Sequence, residues 1–255
     1  LPSPGPTPAG TPEGTVTGPG GAPLAGALVT AQDTARGMSV TVATDARGRY
    51  RMPGLAPGTY RLRAAHHGFE TQTRAPLAAA ATDFELQPED DAFARLPSAA
   101  FVSLLPEGPE KRQFLLDCGG CHQFDQKIVT SAGRLKSRDE WVQRIRQMLS
   151  FSGAHTNFPV MSPGRDAEQT ADWLLQHLGG PDAPLPAPVV TPLKGDPRVV
   201  VTEYDVPARH DLPHDLMPDG DGGIVVTGMM TAQMYRLDPA TGAFRAVPIP
   251  VPHAG

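Results

Sequence analysis

Hydrophobic and polar positions divide the chain into a β segment, a helical segment and a second β segment. Tyr60, Leu62 and Ala64 alternate with Arg61 and Arg63, and Tyr50 and Met52 alternate with Arg49 and Arg51. A period of two buries one set of side chains and solvates the other, so both stretches predict half-buried strands. Asp45-Ala46-Arg47-Gly48 and Pro57-Gly58 punctuate them as turns. Gly18 to Val29 reads as a strand, a turn and a second strand. Residues 11–88 are therefore expected to be all-β. His66 and His67 end the alternation; neighbouring strand residues face opposite ways, which disfavours a shared metal site and leaves solvent-exposed loop histidines as the plainer reading.

The period changes over residues 107–180. Phe114-Leu115-Leu116 reads as helical, and Ser137-Arg138-Asp139-Glu140 is a capping-box pattern with Trp141, Ile145 and Met148 following at helical spacing. A second helix is expected from Asp166 to Leu178, with Ala167, Ala171, Leu174, Leu175 and Leu178 as its stripe and Gly179-Gly180 as its stop. On this pattern Met148 is a core residue. Residues 89–106 and the Pro-rich stretch 181–196 read as linkers, and residues 1–10 as an extended Pro-rich arm.

Residues 197–255 return to short strands: Val199-Val200-Val201, Gly223 to Thr227, Met234 to Leu237 and Phe244 to Val247. The turns are Asp219-Gly220-Asp221-Gly222 and Asp238-Pro239-Ala240-Thr241-Gly242. Four short strands make one propeller-like blade, whereas a closed propeller needs about four to eight. His210, His214 and Asp215 cluster here, and a loop of turn residues accounts for them.

Composition sharpens this picture in three places. Pro (29) and Gly (27) exceed a fifth of the 255 residues while aromatics make 6%, which favours turn-rich β structure joined by linkers. A net charge of -5 is too mild to imply a nucleic-acid partner. No stretch approaches the roughly 20 apolar residues of a membrane span, and a chain beginning at Leu1 reads as a mature product whose signal peptide has been removed. The expected location is periplasmic or extracellular.

The chain holds two cysteines, both in Cys118-Gly119-Gly120-Cys121-His122. Cys-x-x-Cys-His is the attachment signature of c-type haem: two thiols bond the haem vinyl groups, and the following His reaches the iron. A zinc half-site would want further Cys or His ligands nearby, and a redox dithiol expects a strand before it, where this sequence reads as helix. One covalent haem c is thus expected, on Cys118 and Cys121, with His122 as the proximal iron ligand. The sequence carries no nucleophile–base constellation and no phosphate-cradling Gly loop, so no catalytic residue and no enzymatic activity of the chain itself is expected.

Three resemblances add to this. Gly21-Ala22-Pro23-Leu24-Ala25-Gly26-Ala27-Leu28-Val29, Thr44-Asp45-Ala46-Arg47-Gly48-Arg49-Tyr50 and Gly54-Leu55-Ala56-Pro57-Gly58-Thr59-Tyr60 resemble the carboxypeptidase regulatory-like domain, a prealbumin-like β-sandwich. Residues 107–180 resemble a class I cytochrome c, in which a helix ends in the haem motif and a Met-bearing loop precedes a C-terminal helix. That resemblance implies an all-α domain with Met161, in Asn157-Phe158-Pro159-Val160-Met161-Ser162-Pro163-Gly164, as the distal iron ligand. His155 is the alternative. Pro213-His214-Asp215-Leu216 and Arg236-Leu237-Asp238-Pro239-Ala240-Thr241-Gly242 resemble blades of virginiamycin B lyase-like and NHL-type propellers. Lys127, Arg134, Lys136, Arg138, Arg144 and Arg146 are set against Asp139 and Glu140, either as a basic face for an acidic redox partner or as a solvated helix face.

The expected protein is multidomain: a sandwich, a cytochrome c-like haem domain, then a short blade. Its expected function is monohaem electron transfer to a redox partner protein, with β modules for docking. Two alternatives stand beside it. One is an accessory or scaffold subunit on the periplasmic face of a membrane electron-transfer complex; the other is the N-terminal part of a longer haem-containing propeller enzyme.

Overall fold

The computed structural model describes residues 11–53, 55–56, 58–74, 81–89, 96–119, 123–151, 161–162, 164–185, 197–228, 230–231 and 233–249, with Phe151 and Pro248 described by backbone alone. The chain divides into two compact units, Leu1–Pro88 with Pro192–Gly255, and Glu89–Thr191. The Pro-rich arm 1–10 and most of the 181–196 linker lie outside the described residues. No described helix is long and apolar enough to cross a membrane.

The first unit begins with β1 (Glu13–Thr17), β2 (Leu28–Asp33), β3 (Met38–Ala43), β4 (Arg49–Arg51), β5 (Arg61–Ala65), β6 (Gln72–Arg74) and β7 (Phe84–Glu85). One sheet runs β4-β1-β7, and the other carries β3-β2-β5-β6. The expected alternation holds: Tyr50, Tyr60, Leu62 and Ala64 are buried, while Arg49, Arg51, Arg61 and Arg63 are exposed. The inner faces share one core, in which Val16 and Phe84 meet Val29, Ala31 and Leu62. The turn at Asp45 forms as its residue types dictate. Its carboxylate accepts from the backbone N–H groups of Arg47 and Arg49, and Gly48 takes φ +72°.

Two expectations in this segment need correction. No strand forms between Gly18 and Gly26; a short 3-10 turn (Pro19–Gly21) fills the space, and Pro23 makes a single bridge to Thr17. Pro19 and Pro23 lack the donor that a ladder needs, and Gly20, Gly21 and Gly26 take positive φ. His66 and His67 are half-buried rather than solvent-exposed: the His66 ring nitrogens lie 2.9 and 3.2 Å from the carbonyls of His67 and Ala25, its N–H donating to one of them, and the ring meets Phe69 edge-on.

The last segment forms β10 (Val200–Tyr204), β11 (Pro213–Pro218), β12 (Ile224–Gly228), β13 (Gln233–Asp238) and β14 (Ala243–Pro248). The strand expected at Val199 to Val201 is not part of the blade. It pairs antiparallel with β3, from Val200↔Val42 to Tyr204↔Met38, and becomes the edge of the sandwich's second sheet. The four-stranded sheet β11-β12-β13-β14 is completed instead by Pro213–Pro218, so His214 and Asp215 lie on a strand, not in a loop. Asp219 and Asp238 close its turns by accepting from backbone N–H groups two residues on.

The second unit holds α1 (Ser98–Ser103), α2 (Pro109–Cys118), α3 (Gln126–Val129), the hairpin β8 (Thr130–Ser131) and β9 (Arg134–Leu135), α4 (Arg138–Phe151) and α5 (Ala167–Leu178). Both long helices start where their caps predict. Ser137 N–H donates to Glu140 Oε2 at 2.7 Å, Glu140 N–H reaches back to Ser137 Oγ, and Asp166 accepts from the N–H groups of Glu168 and Gln169. Ala171 and Leu174 are fully buried in the shared core, and Gly179 ends α5 at φ +93°. Residues 89–106 are more than a linker. Helix α1 lies there and sends Ala100, Phe101 and Leu105 into this same core, Phe101 without solvent exposure. Met148 is half-buried, and Leu149 is the residue of that turn which packs on the core.

Candidate functional site

Helix α2 begins at Pro109, whose missing N–H costs nothing in the first turn, and its last residue is Cys118. The thiol-bearing residue is half-buried and packs against the helical core beside Phe114. Phe114 meets Phe124 edge-on at 5.1 Å and Trp173 at 5.5 Å, so an aromatic wall stands at this end of the helix. Gly120, Cys121 and His122, and the alternative ligand His155, lie outside the described residues.

Met161 is described and is 5% exposed. The residue after it is fastened to the residue before Cys118. Ser162 donates its N–H and its hydroxyl to Asp117 Oδ1 at 3.0 and 2.9 Å, and exposed Gln113 donates to both Asp117 and Ser162. The other carboxylate oxygen of Asp117 accepts from Arg165 Nε at 2.5 Å, with both side chains 4% exposed. Arg165 also reaches Glu110 and the Thr170 hydroxyl, which fixes it between α2 and the start of α5. Burial pushes the Asp117 carboxyl up, but the bonds from Arg165 and Ser162 outweigh it and hold the group below the usual carboxylate range. Pattern reading did not single out Asp117 or Arg165. A carboxylate directly before the motif and an arginine directly before the α5 cap were the available signals.

These residues fit a c-type haem. Cys118 stands at the edge of an apolar, aromatic-lined core, where its thiol could bond a haem vinyl group; Met161 is a buried thioether able to donate to iron, and the Asp117 network ties their two segments together. Among the described residues no group of three or more His, Cys, Asp or Glu could hold a bare metal ion.

Three members of the basic run are paired with carboxylates, two of them by partners distant in sequence. Arg138 pairs with Asp172 and lies 3.6 Å from Glu168, Arg146 pairs with Glu168, and Arg134 forks onto Glu140. Lys136 is buried; its ammonium donates to the carbonyls of Ile128 and Thr130 and sits 5.3 Å from the Trp141 ring centre. Lys127 and Arg144 stay exposed. A continuous positive face for steering an acidic partner is therefore not what these side chains make.

The β unit gathers less chemistry. An open groove of about 670 Å³ runs along Glu13, Arg49, Arg51 and Arg198, and includes none of the candidate haem-site residues. His214 and Asp215 are exposed neighbours 3.1 Å apart, while His210 is exposed in the preceding turn. Asp211 accepts from the hydroxyls of Thr231 and Tyr235 and from the N–H groups of Met230 and Leu212, a structural clamp.

Comparison with known proteins reaches the N-terminal sandwich. No curated protein matches the chain. A type II cohesin–X–dockerin complex from Acetivibrio cellulolyticus, a C-terminal interface mutant, is 21% identical over 31% of this chain and 51% of that one, with a TM-score of 0.22. This chain thus spans about half of that one, and the score is too low to carry a fold argument. Residues 13–90 match the Carboxypeptidase regulatory-like domain. That match agrees with the two sheets and single core seen there, and this segment is a carboxypeptidase regulatory-like β-sandwich.

Proposed function

We propose that the helical unit is a class I-like cytochrome c domain and that the chain is an exported monohaem electron carrier, docked through its β modules. One observation carries this reading: the helix that ends on Cys118, first thiol of the haem signature, is hydrogen-bonded through Asp117 to the loop of Met161. When bound, the haem supplies a one-electron iron couple. The protein's own residues do the rest. Cys118 and Cys121 would tether the group, and His122 and Met161 would hold its iron with an imidazole nitrogen and a thioether sulfur. Phe114 and Trp173, whose rings meet at 5.5 Å, would supply apolar surface for the macrocycle.

The docked form is favoured by strand β11, whose Leu216 and Met217 are 68% and 65% exposed on a sheet edge. An apolar edge of this kind invites pairing with another surface. A redox subunit of a larger complex on the periplasmic face fits that edge, with location and partner both part of the proposal.

Mass spectrometry of the exported protein checks the central point. An adduct of about 616 Da and a reduced α-band near about 550 nm are expected for one covalent haem c. Protein carrying two unmodified thiols would sink the reading.

A further inference from the structure

We propose that Asp117 and Arg165 are positioning residues for the distal haem ligand: their buried pair latches the Met161 loop to α2 and keeps the thioether on the iron. The inference rests on the haem reading above and adds to it a device that the haem signature does not contain.

The geometry is specific. Asp117 directly precedes Cys118, so its carboxylate is fixed to the backbone that would carry the haem. One oxygen takes both donors of Ser162, the residue after Met161, and the other takes Arg165, the residue before the α5 cap Asp166. A single carboxylate thus grips the loop on both sides of residues 163–164. The pair is almost fully withdrawn from water, where an ion pair is screened little and its loss leaves an uncompensated charge. Among the described residues, the bonds of Ser162 and Arg165 to Asp117, with Gln113 and Glu110 beside them, tie the segment after buried Met161 to α2. A ligand loop held by one latch exchanges its ligand more readily when the latch is cut. The open fraction then sets how well an added ligand competes.

Imidazole added to the full-length ferric holoprotein reads that fraction. It competes with Met161; its binding is followed in every background by the shift of the haem Soret band, and in Met161-containing protein also by loss of the thioether–iron band at about 695 nm. In Asp117→Asn and Arg165→Gln, imidazole should bind about tenfold more tightly than in the native protein. In a Met161→Ala background the same substitutions should leave imidazole affinity unchanged, since the latch then has no ligand to hold. A general loosening of the fold would raise affinity in both backgrounds and would overturn the proposal, as would native affinity in both single variants. Should Asp117→Asn fail to fold, Gln113→Ala and Ser162→Ala cut the solvent-side bonds of the same latch and carry the same two outcomes. A native protein without a haem adduct, or a band that survives in Met161→Ala, refutes the underlying haem or ligand assignment and the latch with it.

Discussion

Arg165 Nε donates to Asp117 Oδ2 at 2.5 Å across 48 residues of sequence, and neither side chain is more than 4% exposed. Breaking a buried pair from one side leaves the other charge stranded, which costs more than the pair contributes when both are replaced. Asp117→Asn is expected to destabilise the helical unit by about 3 kcal/mol. The double variant Asp117→Asn/Arg165→Gln should cost clearly less than the two single losses combined. Both tryptophans, Trp141 and Trp173, lie in this unit, so guanidinium unfolding followed by their fluorescence reports it without interference from the β unit. Strictly additive losses would show that the pair is not coupled.

Phe101 gives a test of where the helical unit begins. It has no solvent exposure and belongs to the core that includes Trp141 and Leu174, although it lies in a segment that reads as a linker. Phe101→Ala should cost about 3–5 kcal/mol in the same fluorescence experiment, the range for an aromatic removed from a packed core. A loss below about 1 kcal/mol would mean that α1 is peripheral.

What could be read from sequence, and what could not, follows the range of the interactions. Ser137 with Glu140, Asp166 with its two N–H donors and Asp45 with its turn are contacts of two to four residues, and each was visible because the residue type itself makes the bond. The period-two strands of the sandwich were visible for the same reason. The pairing of β10 with β3 was not, because an edge strand held by its backbone ladder needs no particular side chain. Helix α1 was missed because six residues make too short a window for a helical period. The choice between a steering face and a solvated helix face for the basic run was open in sequence because Glu168 and Asp172, which pair with Arg138 and Arg146, stand on a different helix. At the candidate site Cys118 and Met161 could be singled out by motif and resemblance, while the Asp117–Arg165 pair that joins their segments was a long-range fact.

Strand β10 is exposed along most of its length, with Val200 and Val201 each 47% exposed, so its place on the sandwich rests on main-chain bonds to β3. Proline removes a donor and is tolerated on an edge strand where its N–H would face solvent. Of Val201→Pro and Thr202→Pro, one is therefore expected to be nearly neutral and the other to cost about 1 kcal/mol. The costly variant should also lose hydrogen-exchange protection on β3 around Val40 to Val42. Unchanged protection in both variants would place β10 elsewhere in solution.

Asp211 makes the acid response of the blade predictable. Burial pushes its carboxyl up, but the hydroxyls of Thr231 and Tyr235 and the N–H groups of Met230 and Leu212 more than reverse this, to a pKa of about 2. A carboxylate depressed below its unfolded value of 3.8 adds stability that is fully present above that value and lost as pH falls from there through about 2. The same bond raises the Tyr235 phenol, chiefly because Asp211 accepts its proton, so this contribution fades as pH rises above 10. Carboxyl carbon shifts of Asp211 should titrate near pH 2, below the unfolded value of 3.8. In Asp211→Asn the blade should lose its extra acid resistance between pH 4 and 2 while keeping its strand order, because the amide still accepts hydrogen bonds but carries no charge. An Asp211 midpoint near 4 would show that the Tyr235 and Thr231 hydroxyls do not grip it in solution.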